Sequence, residues 1–339
     1  MGRRGKTRVA IVGCGPIAHR AYLPFLVGRD DVDIVAVWSR REETLRKVSA
    51  LYGISACTTE FEKVLEKRPD CAFVLTTCET HPKYAIPLIE SGSDVLCEKP
   101  MAWTIRDSEM MVEAAAKSGR ILMIGFNRRY SVPYARAKRF FESGVVETCV
   151  VERVKTTGRP RCVAEDIVHN LDLLRWYCGE PLRVWAAAAG KGTGVPAPAR
   201  HSDTRPFSVE TGGPADFETS LVAAVSFDSG ALGVAAVCFS AGRWHERTSI
   251  SGGGRTAVIE APDSLRLITA GEDDVAVNLT GSTDSWASPA ELKGFKAQVE
   301  EFLECHLSRR TPLTNGADAL KSMRLLDRVC REAGIPALE

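Results

Sequence analysis

The chain has 339 residues, of which 45% are hydrophobic and 26% are charged, and its formal net charge at pH 7 is +1. This balance is ordinary for a soluble globular protein, and the length allows two domains. A net charge this small gives no electrostatic reason to expect nucleic-acid or membrane binding. The first apolar run, VAIVG, is too short for a signal peptide or a membrane span.

The 11 cysteines are scattered and odd in number, and none forms a CxxC pair. Four of them lie in apolar runs, where cysteine behaves as a small hydrophobic residue: Cys71, Cys97, Cys149 and Cys238. The pattern therefore argues against a disulfide framework and against a zinc site. It predicts a cytoplasmic protein with no bound metal.

Short apolar runs alternate with longer amphipathic runs over residues 1–125. The expected strands cover residues 8–13, 33–38, 71–75, 94–97 and 121–125. The stretches between them, such as REETLRKVSALYG and TIRDSEMMVEAAAKSG, have helical periodicity and end at glycine. Strands that alternate with helices predict βαβ units and an α/β domain whose parallel sheet is covered on both faces.

The pattern changes after residue 145. VETCVVERVKT, RVWAAAAGK and FETSLVAAVSFDSGALGVAAVCFS predict longer strands, interrupted by one helix in DIVHNLDLLRWYCGEP. We expect a mostly antiparallel sheet with helices on one face and an open second face. Residues 191–216 are rich in Gly, Pro, Ser and Thr and predict a long loop, either a lid or a subunit contact.

The stretch RVAIVGCGPIAHRAYLPFL places Gly13, Gly15 and Ala18 in a GxGxxA pattern between a strand and a helix. The first glycine allows a tight turn, the second lets the backbone approach a pyrophosphate, and the alanine lets helix and strand pack closely. Pro16 and Ile17 complete this turn. We therefore expect a dinucleotide cofactor here, although a glycine turn can also occur without a nucleotide.

The second strand ends in Ser39, Arg40 and Arg41, where an NAD enzyme usually has a carboxylate for the ribose 2′-hydroxyl. A hydroxyl and two guanidinium groups suit a 2′-phosphate instead. This pattern favours NADP(H) over NAD(H). The alternative is that both arginines are solvated side chains at a helix start.

The stretch VLCEKPMAW places Lys99 at the end of a buried strand, where open α/β sheets bind ligands. Desolvation lowers the pKa of a lysine there, so that it can exchange a proton with a reacting oxygen. His169 has a side chain that titrates near neutrality, and Asp172 lies on the same helical face and could orient it. The alternatives are a strand-end charge, a satisfied core histidine, and an Asp172 carboxylate paired with Arg175.

Four motifs in this order resemble those of the glucose–fructose oxidoreductase / inositol dehydrogenase / MocA (Gfo/Idh/MocA) family: the glycine turn, EKP, GFNRRY and HNLDLLRW. The resemblance implies an N-terminal Rossmann domain over 1–125. It also implies a C-terminal α+β domain over 126–339, with an open-faced sheet and terminal helices that return toward the first domain. Members act on sugars, cyclitols or related polyols bound by both domains, and pair through the sheet as homodimers or homotetramers.

The resemblance also implies roles for single residues. Lys99 matches the lysine near the nicotinamide, His169 matches the acid/base histidine, and Glu98 matches a glutamate on the cofactor side. Members usually carry an aspartate before the histidine, and here either Glu165 or Asp166 could fill that place.

Two further segments carry candidate residues. Thr76 and His81, in TTCETHP, are expected in the cofactor loops, although family members usually have Pro and Asn where Thr77 and Cys78 stand. In GFNRRY, Asn127 is expected near the cofactor. Arg129 would either meet a substrate phosphate or carboxylate, or brace the interdomain hinge.

The leading hypothesis is an NADP-dependent oxidoreductase of a sugar-like or cyclitol alcohol or ketone, with Lys99 and His169 handling the proton. Residues Lys99, Arg129, Asp166 and His169 are the expected substrate contacts. The substrate could be a free sugar, a nucleotide-linked keto sugar or a cyclitol, and either Lys99 or His169 could be the immediate proton donor. The alternatives are a redox-neutral sugar-modifying enzyme with tightly held cofactor and a non-catalytic NAD(P)-binding regulator.

Overall fold

The computed structural model describes residues 5–156, 163–189, 220–272, 274–278 and 288–335. The predicted loop at 191–216 lies outside these residues. The chain forms two compact units. The first unit contains Met1–Ala135 and Asp284–Arg324, and the second contains Arg136–Thr283 and Leu325–Ala337.

The elements of the first part of the chain are β1 (Thr7–Val12), α1 (Leu23–Leu26), β2 (Val32–Trp38), α2 (Glu42–Tyr52), β3 (Cys57–Thr58), α3 (Phe61–Glu66), β4 (Cys71–Val74), α4 (His81–Glu90), β5 (Asp94–Cys97), α5 (Ile105–Ser118) and β6 (Leu122–Ile124). The later elements are α6 (Val132–Phe140), β7 (Thr148–Thr156), α7 (Val163–Cys178), β8 (Pro181–Ala189), β9 (Ser220–Phe227), β10 (Leu232–Cys238), β11 (Ser240–Gly252), β12 (Arg255–Glu260), β13 (Ser264–Thr269), β14 (Val275–Asn278), α8 (Pro289–Leu292), α9 (Phe295–Ser308) and α10 (Gly316–Glu332). Short helical turns lie at Ala18–Tyr22, Cys78–Thr80 and Asn127–Tyr130.

The first unit is built on a six-stranded sheet in the order β3-β2-β1-β4-β5-β6. All the neighbouring strands in it are parallel, as predicted. The order reverses between β1 and β4, so the carboxyl ends of these two strands flank the point where open α/β sheets bind ligands. The loops that follow β1, β2, β4, β5 and β6 carry the candidate residues of this unit.

Aromatic rings form the centre of the core of the first unit. The ring centroid of Tyr22 lies 5.9 Å from that of Phe73 and 5.8 Å from that of Phe295. Phe73 also lies edge-on to Phe302, at 5.3 Å. Because Phe295 and Phe302 belong to α9, this late helix is part of the core under the Rossmann sheet. Each such buried ring stabilises the fold by about 1.5–3 kcal/mol.

The second unit contains an eight-stranded sheet in the order β14-β13-β12-β11-β7-β10-β9-β8. Its strands β7 and β10 are parallel, and its other neighbouring pairs are antiparallel. Helix α7 covers one face, and Asn170 fastens it there by donating to the carbonyls of Val151 and Ala236. The predicted mostly antiparallel sheet is thereby confirmed.

The opposite face of this sheet carries exposed apolar side chains, namely those of Val150, Trp185, Val222 and Leu232. Strand β11 was not predicted, because its sequence, SAGRWHERTSISG, shows no sustained apolar alternation. Pairing with β7 on one side and β12 on the other makes it the longest strand of this sheet.

None of the helices within the described residues is long and apolar enough to cross a membrane. Ten cysteines fall within the described residues, and each carries a free thiol.

Candidate active site

The glycine turn after β1 lies directly against the loop after β4. Gly13 has a φ of +100°, and a Cβ atom there would come within 2.8 Å of the carbonyl carbon of Leu75. A Cβ at Gly15 would have no atom within 4 Å, so the backbone of that residue faces open space. Ala18 is fully buried and donates its N–H to the carbonyl of Gly15 at 3.0 Å. These features fit a pyrophosphate on the turn.

The helix expected after this turn is present, but its first turn, Ala18–Tyr22, has π geometry before α1 begins. Such turns occur often at functional sites. This one directs the fully buried side chain of Tyr22 into the unit, beneath the end of β5.

The end of β2 is basic, as the sequence shows. Arg40 and Arg41 are exposed and Ser39 is half-buried. Below them the Trp38 ring packs on the Tyr84 ring, with 4.6 Å between centroids. Burial raises the pKa of the Tyr84 phenol, and the nearby positive charge of Arg40 partly opposes that shift. The arrangement leaves two guanidinium groups at the edge of the sheet, next to an aromatic surface.

His81 joins two of the loops at this edge. Its Nδ1 lies 2.9 Å from the carbonyl oxygen of Pro100, and its Nε2 lies 3.1 Å from that of Thr76. The imidazole is buried, and desolvation lowers its pKa. A neutral ring donates from one nitrogen at a time. His81 therefore contacts both loops but hydrogen-bonds only one at a time, either the loop after β4 through Thr76 or the loop after β5 through Pro100. The buried hydroxyl of Thr76 has no hydrogen-bond partner within the described residues, so it is available to a ligand.

Lys99 lies just beyond β5, next to a buried carboxylate. Glu98 accepts the O–H of Tyr22 on Oε1 at 2.6 Å and the backbone N–H of Lys99 on Oε2 at 3.0 Å. Burial raises the pKa of Glu98, while the Tyr22 hydrogen bond and the Lys99 charge oppose that rise. Lys99 itself is half-buried. The local geometry thus holds the lysine backbone firmly at the carboxyl edge of the sheet.

The GFNRRY segment is buried and braced. Asn127 donates from Nδ2 to the carbonyl of Lys293 at 2.8 Å and accepts from Arg128 on Oδ1 at 3.0 Å. The guanidinium of Arg129, which is 4% exposed, pairs with Asp318 at 2.8 Å. Asn127 and Arg129 therefore connect this turn to Lys293 and to Asp318 of α10, within the first unit.

In the second unit, the candidate residues lie on α7. The side chains of Asp166, His169 and Asp172 are all buried, and each is separated from the next by three positions. They therefore lie on one side of the helix. Glu165, the other candidate carboxylate, is half-buried.

Asp166 belongs to a charge network that the sequence analysis missed. Its carboxylate lies 3.1 Å from Nη1 of Arg153 and 2.6 Å from Nζ of Lys155, and Arg153 also contacts Glu246 at 2.8 Å. Arg153 and Lys155 alternate with Val154 on β7, so their side chains lie on the same face of the strand. This alternation in VERVK is the sequence pattern that would have indicated two charged side chains on the inward face. Both oxygens of Asp166 are thus engaged by cations.

Family models match both parts of the chain. Residues 7–126 match the "Oxidoreductase family, NAD-binding Rossmann fold" model, and residues 120–334 match the "Oxidoreductase family, C-terminal alpha/beta domain" model. The chain belongs to the Gfo/Idh/MocA oxidoreductase family. The resemblance stated from its motifs is therefore confirmed, as is the two-part fold class.

Individual members of the family are similar in sequence or in structure. Myo-inositol 2-dehydrogenase of Thermotoga maritima is 26% identical over 67% of each chain. A levoglucosan dehydrogenase, solved in complex with NADH and levoglucosan, superimposes with a TM-score of 0.81 at 17% identity over 97% of each chain. UDP-N-acetylglucosamine 3-dehydrogenase GnnA of Acidithiobacillus ferrooxidans gives 0.79 at 19% identity over 97% of this chain and 98% of its own. At this identity the two structures show the shared fold.

Proposed function

We propose that the protein is an NADP(H)-dependent oxidoreductase that interconverts an alcohol and a ketone on a sugar-like or cyclitol substrate. The observation that carries the proposal is Lys99, held by Glu98 at the same sheet edge as the glycine turn. Three relatives support the substrate class, since their names state inositol, levoglucosan and a nucleotide-linked amino sugar as substrates. Free and nucleotide-linked keto sugars and keto-cyclitols are therefore the compounds to test.

The cofactor would be held by the loops at the carboxyl ends of the strands. The backbone from Gly13 to Ala18 would receive the pyrophosphate, and Thr76 would offer its hydroxyl. Arg40 and Arg41, with the Ser39 hydroxyl, would bind a 2′-phosphate. When bound, the nicotinamide supplies or accepts the hydride.

The chain's own residues would manage the proton. Lys99 and His169 are the proposed acid/base groups, and Asp172 is the proposed partner that orients His169. Asp166 would act mainly by anchoring α7, because its two oxygens already contact Arg153 and Lys155. That leaves Glu165 as the other carboxylate able to meet the substrate.

We further propose that a second copy of the chain covers the open face of the second unit's sheet, giving a homodimer or a homotetramer. A row of apolar side chains crosses four neighbouring strands of this face, formed by Trp185, Ala224, Val234 and Val150. Beside it, Glu152, Arg247 and Glu260 are cross-strand neighbours of alternating sign. In a two-fold arrangement whose axis lies between Arg247 and one of these glutamates, the arginine of each copy faces that glutamate of the other.

The first test is a panel of keto sugars and keto-cyclitols, free and nucleotide-linked, incubated with the enzyme and NADPH or NADH while absorbance is followed. Lys99→Met should lower turnover by about 10²–10⁴-fold, because it removes an acid/base group while the cofactor loops stay intact. Lys117→Met, which removes an exposed lysine of α5, is the control. Full activity of Lys99→Met, with cofactor binding unchanged, would exclude the proposed proton chemistry.

Cofactor preference is tested separately. Arg40→Asp should weaken NADPH binding about tenfold or more and leave NADH binding nearly unchanged, since a charge-assisted contact becomes a repulsion. Arg106→Asp, an exposed arginine of α5, controls for the change in net charge. Equal wild-type affinity for the two cofactors would contradict the NADP assignment.

A further inference from the structure

A chain of three buried side chains ends at the backbone of Lys99. Gln298 on α9 donates from Nε2 to the hydroxyl of Tyr22 at 3.0 Å. Tyr22 donates that hydroxyl to Oε1 of Glu98 at 2.6 Å, and Oε2 of Glu98 accepts the N–H of Lys99 at 3.0 Å. Tyr22 and Gln298 are completely buried, and Glu98 is 7% exposed.

The direction of these hydrogen bonds is determined. A phenol has one proton, and Tyr22 gives it to Glu98, so the Tyr22 oxygen can only accept from Gln298. Burial raises the pKa of Tyr22 well above its ordinary value, so the phenol stays a donor. Both oxygens of Glu98 act as acceptors, which is the pattern of a carboxylate anion. Burial raises the pKa of Glu98, and the two donated hydrogen bonds oppose that rise.

The surrounding backbone packs closely around these three hydrogen-bonded side chains. A Cβ at Gly125, which follows β6, would lie 3.2 Å from Cα, Cδ and Oε1 of Glu98, so a larger residue there would crowd the glutamate. A Cβ at Gly294, the N-cap of α9, would lie 2.4 Å from the carbonyl oxygen of Asn127. That contact seats the first turns of α9, and with them Gln298, against the 127–131 turn.

We infer that Tyr22 and Gln298 are positioning residues that keep Glu98 as an anion beside Lys99, and that they thereby fix the place and charge environment of the proton-carrying amine. The inference rests on the proposed function in so far as Lys99 exchanges the proton. Neither residue is close to a surface, so neither touches substrate. They act through Glu98, and a substitution of either one should change the position and charge environment of the Lys99 amine.

The first experiment needs no turnover. Protein labelled with ¹³C at the glutamate carboxyl carbon is titrated by NMR, and Glu98→Gln identifies the Glu98 signal. The midpoint should move to higher pH in Tyr22→Phe, because that variant loses the phenol that donates to the Glu98 anion. It should move by less in Gln298→Leu, which loses only the donor that polarises that phenol. Tyr52→Phe removes a phenol that is bonded to His19 instead and should leave the midpoint unchanged. An unchanged midpoint in folded Tyr22→Phe and Gln298→Leu would overturn the inference.

The second experiment measures kinetics on the same variants. Tyr22→Phe keeps the aromatic ring and should lower kcat about tenfold, with cofactor Kd changed by less than about twofold. Combining it with Glu98→Gln should cause no further loss beyond Glu98→Gln alone, because both act on one interaction. Fully additive losses would contradict the inference that Tyr22 acts through Glu98. If the wild-type protein converts no substrate, the proposed function fails. The NMR titration then still decides whether Tyr22 and Gln298 keep Glu98 charged.

Discussion

Asp94 is the best place to test the energetics of the first unit. It is fully buried at the start of β5, and its Oδ1 accepts the backbone N–H of Ile121 at 2.8 Å. Its Oδ2 lies 2.7 Å from Nδ1 of His306 and 2.5 Å from Nη1 of Arg309. Through these two partners, the carboxylate fastens the end of α9 to the sheet edge opposite the candidate site.

The perturbation is Asp94→Asn, which keeps the shape and the acceptor for Ile121 but removes the charge. Loss of one partner of a buried ion pair costs about 3–5 kcal/mol. The Arg309 side chain is 46% exposed, so water compensates part of its loss. We therefore expect unfolding free energy to fall by about 2 kcal/mol, and the midpoint of thermal unfolding by about 4–8 °C.

The effect should depend on pH with a definite sign. Burial, the largest influence, raises the pKa of Asp94, but hydrogen bonds from His306, Ile121 and Arg309 outweigh it and hold that pKa below its ordinary value. A carboxyl whose folded-state pKa is depressed stabilises the fold above its unfolded pKa and loses that contribution as pH falls through the folded value. The difference between wild type and Asp94→Asn should therefore shrink below about pH 4.

The assay is urea unfolding followed by circular dichroism at pH 7 and at pH 3. The matched control is Asp31→Asn, because Asp31 also pairs with an arginine, Arg29, at 2.7 Å, but is itself 56% exposed. That substitution should cost about 0.5 kcal/mol. Equal losses from the two substitutions at pH 7, or a difference that grows in acid, would refute the reasoning.

Two other predictions follow from the geometry. Gly13→Ala should weaken cofactor binding at least about tenfold and destabilise the protein by about 1–3 kcal/mol, because its Cβ would lie 2.8 Å from backbone at positive φ. Gly28→Ala has similar backbone strain with no atom within 4 Å and should leave cofactor binding unchanged, as calorimetry would show. Trp185→Glu should halve the molar mass measured by light scattering if the open face pairs two chains, whereas Leu51→Glu, at an exposed leucine of α2, should not. An unchanged mass for Trp185→Glu would contradict pairing through this face.

Much of the first unit could be predicted because its signals are local. The strand 94–97 has the predicted bounds, and the other predicted strands of this unit differ from the observed ones by one residue at one or both ends. The turn at Gly13 requires a positive φ and a close approach, both of which glycine satisfies, so its sequence pattern is informative. Strand β11 was missed because its pairing partners, and not its own composition, make it a strand.

The sequence by itself determined the family, the parallel sheet, the glycine turn and the place of Lys99 at a strand end, because each depends on residues close together in the chain. Only the tertiary structure decided what surrounds them. Gln298 and Tyr22 are 276 positions apart, yet they meet at the Tyr22 hydroxyl, which donates to Glu98. Asp166 likewise meets cations from another element. A buried charge is stable only where donors from distant segments converge on it, and no local pattern records which segments those are.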